Sequence, residues 1–220
     1  QGMGAFGSLI LEGWCRALVS DVAKSIPSGV QHLNLSASVS DQMIRNKYHG
    51  RLDRQKIIQE MVEAVNYTKA QGIKTIGVNG EDASRADLGY LIDFCMASKE
   101  AGANRFRYCD TLGYDSPLSI YQRVRTLAEK VNIPLELHCH NDLGMGVANS
   151  VAGAMGAIDG GVDAYINTSI NRLGERAGQA DLLGCLLAVK FASGLEKYTI
   201  GDPIDLKVAH RLAKYTSYAF

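Results

Sequence analysis

Two histidines stand one residue apart in the segment LELHCHND, residues 135–142. The alternation of Leu135 and Leu137 with Glu136 reads as a strand, and strand side chains two apart share a face. His138 and His140 then project together where the strand ends, which suits two nitrogen ligands on one metal ion. A pair at that spacing favours a metal over two structural histidines. Two nitrogens do not complete a site, however. Divalent metals take further oxygen or nitrogen ligands, and a catalytic site keeps a position open for substrate.

Three other segments place chemistry at strand ends. EDASR (81–85) follows the apolar IKTIGVN, which puts Glu81 and Asp82 at the C-terminal end of a strand. That edge holds the active site in α/β sheets and barrels, because its loops are free to vary. Acids also favour a helix start through the dipole, so one acid can cap while the other faces a pocket. RYCDTLG (107–113) has the same placement, and Thr111 can donate to a substrate carboxylate, but a polar strand-to-helix turn is the ordinary explanation. NRLGERAGQAD (171–181) closes the last apolar run with a glycine-rich turn that leads into a helix, whose free amides suit an anion. That helix is expected to begin before Asp181, leaving Asp181 no capping role. GMGAFG (2–7) matches G-x-G-x-x-G letter for letter. No strand precedes it and the strand-like SLILEGWC follows, so a glycine-rich loop is expected and not a dinucleotide site.

The elements that position these groups follow from periodicity. Short apolar runs at 9–15, 32–39, 73–78, 105–110, 135–140 and 164–170 alternate with helical patterns. Ile57, Met61, Val65 and Thr68 form one such pattern, Leu88, Leu91, Ile92 and Cys95 a second, and Tyr121, Val124, Leu127 and Val131 a third. Ser116-Pro117 reads as an N-cap followed by proline in the first turn, with Asp115 adding a favourable charge. Further helices are expected over 144–160 and 178–193, and a turn followed by a new helix beyond Gly194. Strand alternating with helix implies a parallel sheet with crossover helices. Six βα units at a spacing of roughly 30 residues fit an open doubly wound sheet or most of a (β/α)8 barrel.

Bulk properties narrow the class. At 220 residues the chain is most simply one domain with a substantial core. Lys and Arg total 23 against 23 Asp and Glu, so no global basic surface attracts nucleic acid or anionic lipid. Five cysteines, odd in number and without CxxC spacing, read as free thiols in a reducing setting. No apolar stretch approaches the roughly 20 residues of a membrane span, and the start does not resemble a signal peptide. A soluble, cytoplasmic protein is expected. The chain begins with Gln1, which implies processing or a fragment.

Taken in order, EDASRAD, RYCDTLG, HCHNDLGMGVAN and LGERAGQADL resemble the Claisen-condensing acyltransferases, the family of homocitrate, 2-isopropylmalate and citramalate synthases. The similarity covers nearly the whole chain. EDASR with HCHNDLGMGVAN is most similar to the homocitrate synthases of nitrogen fixation. These condense acetyl-CoA with 2-oxoglutarate and supply the organic acid of the nitrogenase iron–molybdenum cofactor. The resemblance implies a (β/α)8 barrel with a divalent metal (Mg, Mn or Zn) at its C-terminal mouth, acetyl-CoA as co-substrate, and a homodimer. It implies His138 and His140 as metal ligands, with Gln179 standing where relatives often carry an asparagine. Glu81 becomes an active-site acid/base residue, and Thr111 holds the carboxylate of the 2-oxo acid. Arg45, Arg16 and Asn79 become substrate-side residues, and the loop 173–178 lies near acetyl-CoA.

The departures from the family are equally specific. Its first strand carries an acidic metal ligand in a pattern like D-x-T-L-R-D-G, which this chain lacks. The missing pair of units would be the first two, so the chain is expected to start after the second barrel strand and to be inactive alone. Residues 1–194 form the partial catalytic barrel in this reading, and 195–220 the start of a C-terminal helical region. Lysine-pathway homocitrate synthases have Arg and Ser where Gly77 and Asn79 stand, so the distal carboxylate must be held differently. The alternatives are a 2-isopropylmalate or citramalate synthase, a lyase of the same superfamily, or a split or noncatalytic subunit that completes its barrel with a partner.

Overall fold

The computed structural model describes residues 9–201 and 204–220. The GMGAFG segment, expected as a loop, lies outside the described residues. The chain divides into two compact units, Gln1–Arg107 and Tyr108–Phe220.

In the first unit, β1 (Gly13–Arg16), β2 (His32–Ser38) and β3 (Thr75–Glu81) pair in parallel, each beside the next in sequence. Helix α1 (Val19–Ser25) joins β1 to β2, α2 (Asp41–Lys47) and α3 (Arg54–Ala70) join β2 to β3, and α4 (Leu88–Ala101) follows β3. Leu33, Leu35 and Val78 are fully buried with Met61 and Val65 of α3 and Leu91 and Phe94 of α4. The intervening residues of the strands are polar, and the register aligns them. Asn34 lies beside Gly77, Ser36 beside Asn79 and Ser38 beside Glu81. Gly77 is required there, because a Cβ would stand 2.7 Å from Asn34 Nδ2.

Neither α1 nor α2 is legible in the periodicity, since seven residues give two turns and no apolar repeat. SDQMIRNKYHG (40–50), the segment that carries Arg45, is mostly α2. A cap fixes it: Ser40 Oγ accepts from Met43 N at 3.2 Å.

The second unit pairs β5 (Leu135–Cys139) with β6 (Ala164–Asn167), again in parallel, and β4 (Arg105–Asp110) runs across the unit boundary. Its helices are α5 (Pro117–Val131), α6 (Gly146–Asp159), α7 (Leu182–Phe191) and α8 (Leu206–Ala219). Helix α5 starts as expected, with Ser116 Oγ accepting from Ser119 N at 3.2 Å and Pro117 in the first turn. Helix α7 does not start early. Asp181 is its N-cap, accepting from Gly184 N at 2.8 Å, which corrects the expectation that it has no capping role. Gly178 is the reason. It takes φ +77°, which a helix cannot continue through, and a Cβ there would stand 1.6 Å from the Arg172 carbonyl oxygen.

Paired strands in each unit are sequence neighbours, with no reversal of order. That is the winding of a (β/α)8 barrel and not of a doubly wound sheet, and the six βα units are six of the eight. All five cysteines are buried, and none forms a disulfide. No described helix is long and apolar enough to cross a membrane.

Helix α6 packs closely on its neighbours because its inner face is made of small residues. A Cβ on Gly156 would stand 2.5 Å from the Tyr121 carbonyl oxygen of α5, and one on Gly160, just past α6, 2.5 Å from Ala128 Cβ. Backbone cannot rotate away as a side chain can. Gly156→Ala is therefore expected to destabilise the protein by about 1–3 kcal/mol, outweighing a helix-propensity gain of about 1 kcal/mol. Urea unfolding of the variant checks this, and unchanged stability would mean that α5 and α6 are free to separate.

Candidate active site

At the C-terminal end of β3, the two adjacent acids do different work. Glu81 Oε2 accepts from Lys47 Nζ at 2.6 Å and from Ser38 Oγ at 2.5 Å. Asp82 is fully buried and takes φ +64°, a left-handed conformation uncommon for a non-glycine residue. It is held there by Arg85, whose Nη2 donates at 2.6 Å, and by Ser40 Oγ. The buried acid thus anchors the turn, and the other reaches a cavity.

That cavity, of about 470 Å³, is lined by Arg16, Ser36, Lys47, Tyr48, Arg51 and Glu81 among others. Its charged lining is three cations, Arg16, Lys47 and Arg51, against two carboxylates, Glu60 and Glu81, an excess of positive charge that suits an anionic substrate. Arg16, at the end of β1, is also paired with Asp21 through Nε at 2.5 Å and Nη2 at 3.1 Å. The Asp21 carboxyl is held below its ordinary range by that guanidinium. Arg45 is exposed on α2 and does not line the cavity. Lys47 and Arg51 line it instead, and neither is legible as a site residue without knowing that α2 turns the chain there. Asn79 is buried beside Ser36, and its Oδ1 has no hydrogen-bond partner.

In the second unit, the histidine pair is as expected from the strand. His138 Nε2 and His140 Nε2 are 3.2 Å apart. Two imidazoles on adjacent positions of an ion, with bonds of about 2.1 Å each, place their nitrogens about 3.0–3.4 Å apart. The pair therefore fits two arms of a metal site. Among the described residues, no group of three or more His, Cys, Asp or Glu is placed to hold an ion. His140 is buried, its Nδ1 has no partner, and burial lowers its pKa to about 4, with His138 adding to the effect. Gln179 is half-buried and bridges His140 through the backbone, with its side-chain amide over Gly174, where a Cβ would meet Oε1 at 1.9 Å.

The loop after β4 is tied to this pair. His140 N donates to the Asp110 carbonyl oxygen at 3.2 Å, and Gly113, at φ +61°, approaches so closely that a Cβ would stand 2.9 Å from His140 O. Asp110 is fully buried, and its Oδ1 accepts from Tyr114 N at 2.8 Å. Thr111, half-buried at the turn, accepts from Arg176 Nη2 through its carbonyl oxygen at 2.6 Å. Arg176 also grips Asp142 through Nε at 2.8 Å and Nη2 at 3.0 Å. One arginine from the glycine-rich loop thus joins three strand-end segments. Sequence reasoning also missed Glu136 and Asn167, which lie behind His138; the only sequence signal is polar residues in an otherwise apolar strand pair.

Comparison with known proteins places the chain. Residues 7–214 match the family described as HMGL-like. The chain is 54% identical to the citrate (Re)-synthase of Dehalococcoides mccartyi, over 99% of this chain and 53% of that protein. It is 37% identical to homocitrate synthase 1 of a Nostoc species, over 84% of this chain and 47% of that protein. The chain thus spans about half the length of these curated relatives. The structure of hydroxymethylglutaryl-CoA lyase from Pseudomonas aeruginosa superposes with a TM-score of 0.76 at 14% identity, covering 97% of this chain and 70% of that one, which is a likeness of fold. With strand-end acids, a convergent histidine pair and a match over nearly its whole length, the chain belongs to the HMGL-like family.

Proposed function

We propose that the whole protein is a condensing acyltransferase that joins the acetyl group of acetyl-CoA to a 2-oxo dicarboxylate and releases CoA. The observation that carries this reading is the strand-end cavity that sets Glu81 among Arg16, Lys47 and Arg51. A 2-oxo dicarboxylate brings two negative charges, which an apolar pocket rejects and these cations accept. Synthases of this family generally use a divalent metal, which when bound polarises the ketone of the oxo acid as a Lewis acid.

Oxaloacetate, yielding citrate, is the preferred oxo acid, because identity to the citrate (Re)-synthase is 54% against 37% for the homocitrate synthase. Condensation with 2-oxoglutarate, yielding homocitrate for the nitrogenase cofactor, is the second reading. EDASR and HCHNDLGMGVAN favour it, and the two acids differ by one methylene.

Each residue has a stated task in this reading. His138 and His140 would supply two nitrogens to the metal, with Gln179, which bridges His140 through the backbone, as the candidate oxygen donor. Glu81 exchanges a proton during enolate formation or ketone addition, and Lys47 and Ser38 fix the carboxylate in place. Thr111 donates to the carboxylate beside the ketone. Arg16 and Asn79 serve the distal carboxylate, Asn79 through its Nδ2 donor, since a carboxylate can only accept. Arg45, exposed, is left to the approach of substrate.

The direct test measures CoA thiol release by the whole protein from acetyl-CoA with oxaloacetate, 2-oxoglutarate, pyruvate or 2-oxoisovalerate, plus Mg²⁺ or Mn²⁺. Oxaloacetate is expected to give the highest kcat/KM, and Glu81→Gln to lower kcat by about 10²–10⁴-fold. No release with any of the four acids sinks the proposal.

Proton placement on His140 gives a second prediction, on metal-free protein. Its folded pKa of about 4 lies below the ordinary 6.5, so the unfolded chain binds the extra proton first. The stability this histidine permits is fully present above pH 6.5 and is lost as pH falls toward 4. Unfolding free energy is expected to drop by roughly 2–3 kcal/mol more over that interval than in His140→Gln. Parallel pH profiles for the two proteins would refute it.

A further inference from the structure

The metal-facing nitrogen of His138 is selected by residues behind it. His138 and Asn167 are register partners across the parallel β5–β6 ladder. His138 Nδ1 lies 2.8 Å from Asn167 Oδ1, and Asn167 Nδ2 donates to Glu136 Oε1 at 3.1 Å. Glu136 is buried, at 6% exposure, and as a carboxylate it can only accept. A flipped Asn167 amide would set its own oxygen against that carboxylate, so Glu136 dictates which end of the amide faces His138. With Oδ1 toward the ring, His138 Nδ1 must carry the proton. The Nε2 lone pair is then left pointing at His140 Nε2, 3.2 Å away.

We propose that Glu136 and Asn167 are positioning residues that hold His138 as its Nδ1–H tautomer, so that Nε2 is ready for a metal ion before one arrives. The proposal rests on the metal-dependent reading above, and it deepens that reading by assigning two residues which touch neither substrate nor ion. The donor order runs in one direction. Glu136 accepts from Asn167, Asn167 accepts from His138 Nδ1, and His138 Nε2 accepts from His140 Nε2–H. His140 has no such support, since its Nδ1 is buried without a partner. The two histidines are therefore unequal: His138 is preset, and His140 must move its proton from Nε2 to Nδ1 to become a ligand. Ligand orientation by an outer partner is commonly worth about 10–100-fold in metal affinity.

The test uses the whole protein, metal-free and labelled with ¹⁵N-histidine, with His138 resonances assigned by their loss in His138→Gln. Long-range ¹H–¹⁵N correlation is expected to show a protonated Nδ1 and a lone-pair Nε2 on His138. Asn167→Leu should shift the proton to Nε2 and weaken Mn²⁺ binding, read by calorimetry, by about 10–100-fold. The double variant E136Q/N167D keeps an acceptor against His138 Nδ1 while position 136 now donates, so it should restore the tautomer and most of the affinity. A protonated Nε2 in the unaltered protein overturns the proposal even if Asn167→Leu fails to fold. So does an Asn167→Leu protein whose tautomer and Mn²⁺ affinity are unchanged. An unaltered protein that shows the Nδ1–H tautomer yet binds no Mn²⁺ would sink the metal-dependent reading and leave the tautomer assignment standing.

Discussion

Parallel register is the constraint on which the functional groups depend. In a strand the side-chain period is two, so a slip of one residue would turn every group to the opposite face. The observed register puts Ser38 beside Glu81 and His138 beside Asn167. Each of these is a hydrogen-bonded pair across neighbouring strands. A slip would bury the imidazole and the carboxylate among Leu33, Leu35, Leu135 and Leu137, which are all fully buried. The large desolvation cost of that arrangement is what makes one register the stable one. Hydrophobic burial on the helix-covered face therefore places the chemistry on the other.

Around that register the chain closes its polar accounts in most places and leaves them open in a few. Ser40, Asp53, Asp87, Ser116, Asp181 and Asp205 each cap a helix through a side-chain oxygen. Asp82, taken wholly out of water, is matched by Arg85 and Ser40. Buried atoms without a partner include Asn79 Oδ1 and His140 Nδ1, both on the polar strand faces beside Glu81 and His138. An unsatisfied buried group costs about 1–3 kcal/mol, so its survival next to proposed ligand groups is itself informative. Functional sites are where local rules are expected to fail.

Loops after the strands carry the remaining precision. Gly113 and Gly178 take positive φ where a side chain would collide with the backbone of His140 and Arg172. Arg176 then spans from the glycine-rich loop to Asp142 and to the Thr111 carbonyl oxygen. Exposed ion pairs contribute little to stability individually. This one fixes the relative positions of three loops, which matters more to a site than to the fold.

The βα alternation, the six strands and the face shared by His138 and His140 were legible from the sequence, because each rests on a period of two or of 3.6 residues. The capping role expected for one of Glu81 and Asp82 falls to neither: Asp82 makes no side-chain cap and pairs with Arg85, while Asp87 caps α4. Helices α1 and α2 were not legible, being two turns long, and with α2 went the approach of Lys47 and Arg51 to Glu81. The start of α7 was misplaced because the positive φ of Gly178 depends on how closely Arg172 approaches it. Asn167 lies 29 residues from His138, and nothing local in the chain says that they meet. Sequence determines what a residue can do and which way its own element turns it. Only the tertiary structure decides its partners, because a hydrogen bond between distant residues is set by the packing of the elements that carry them.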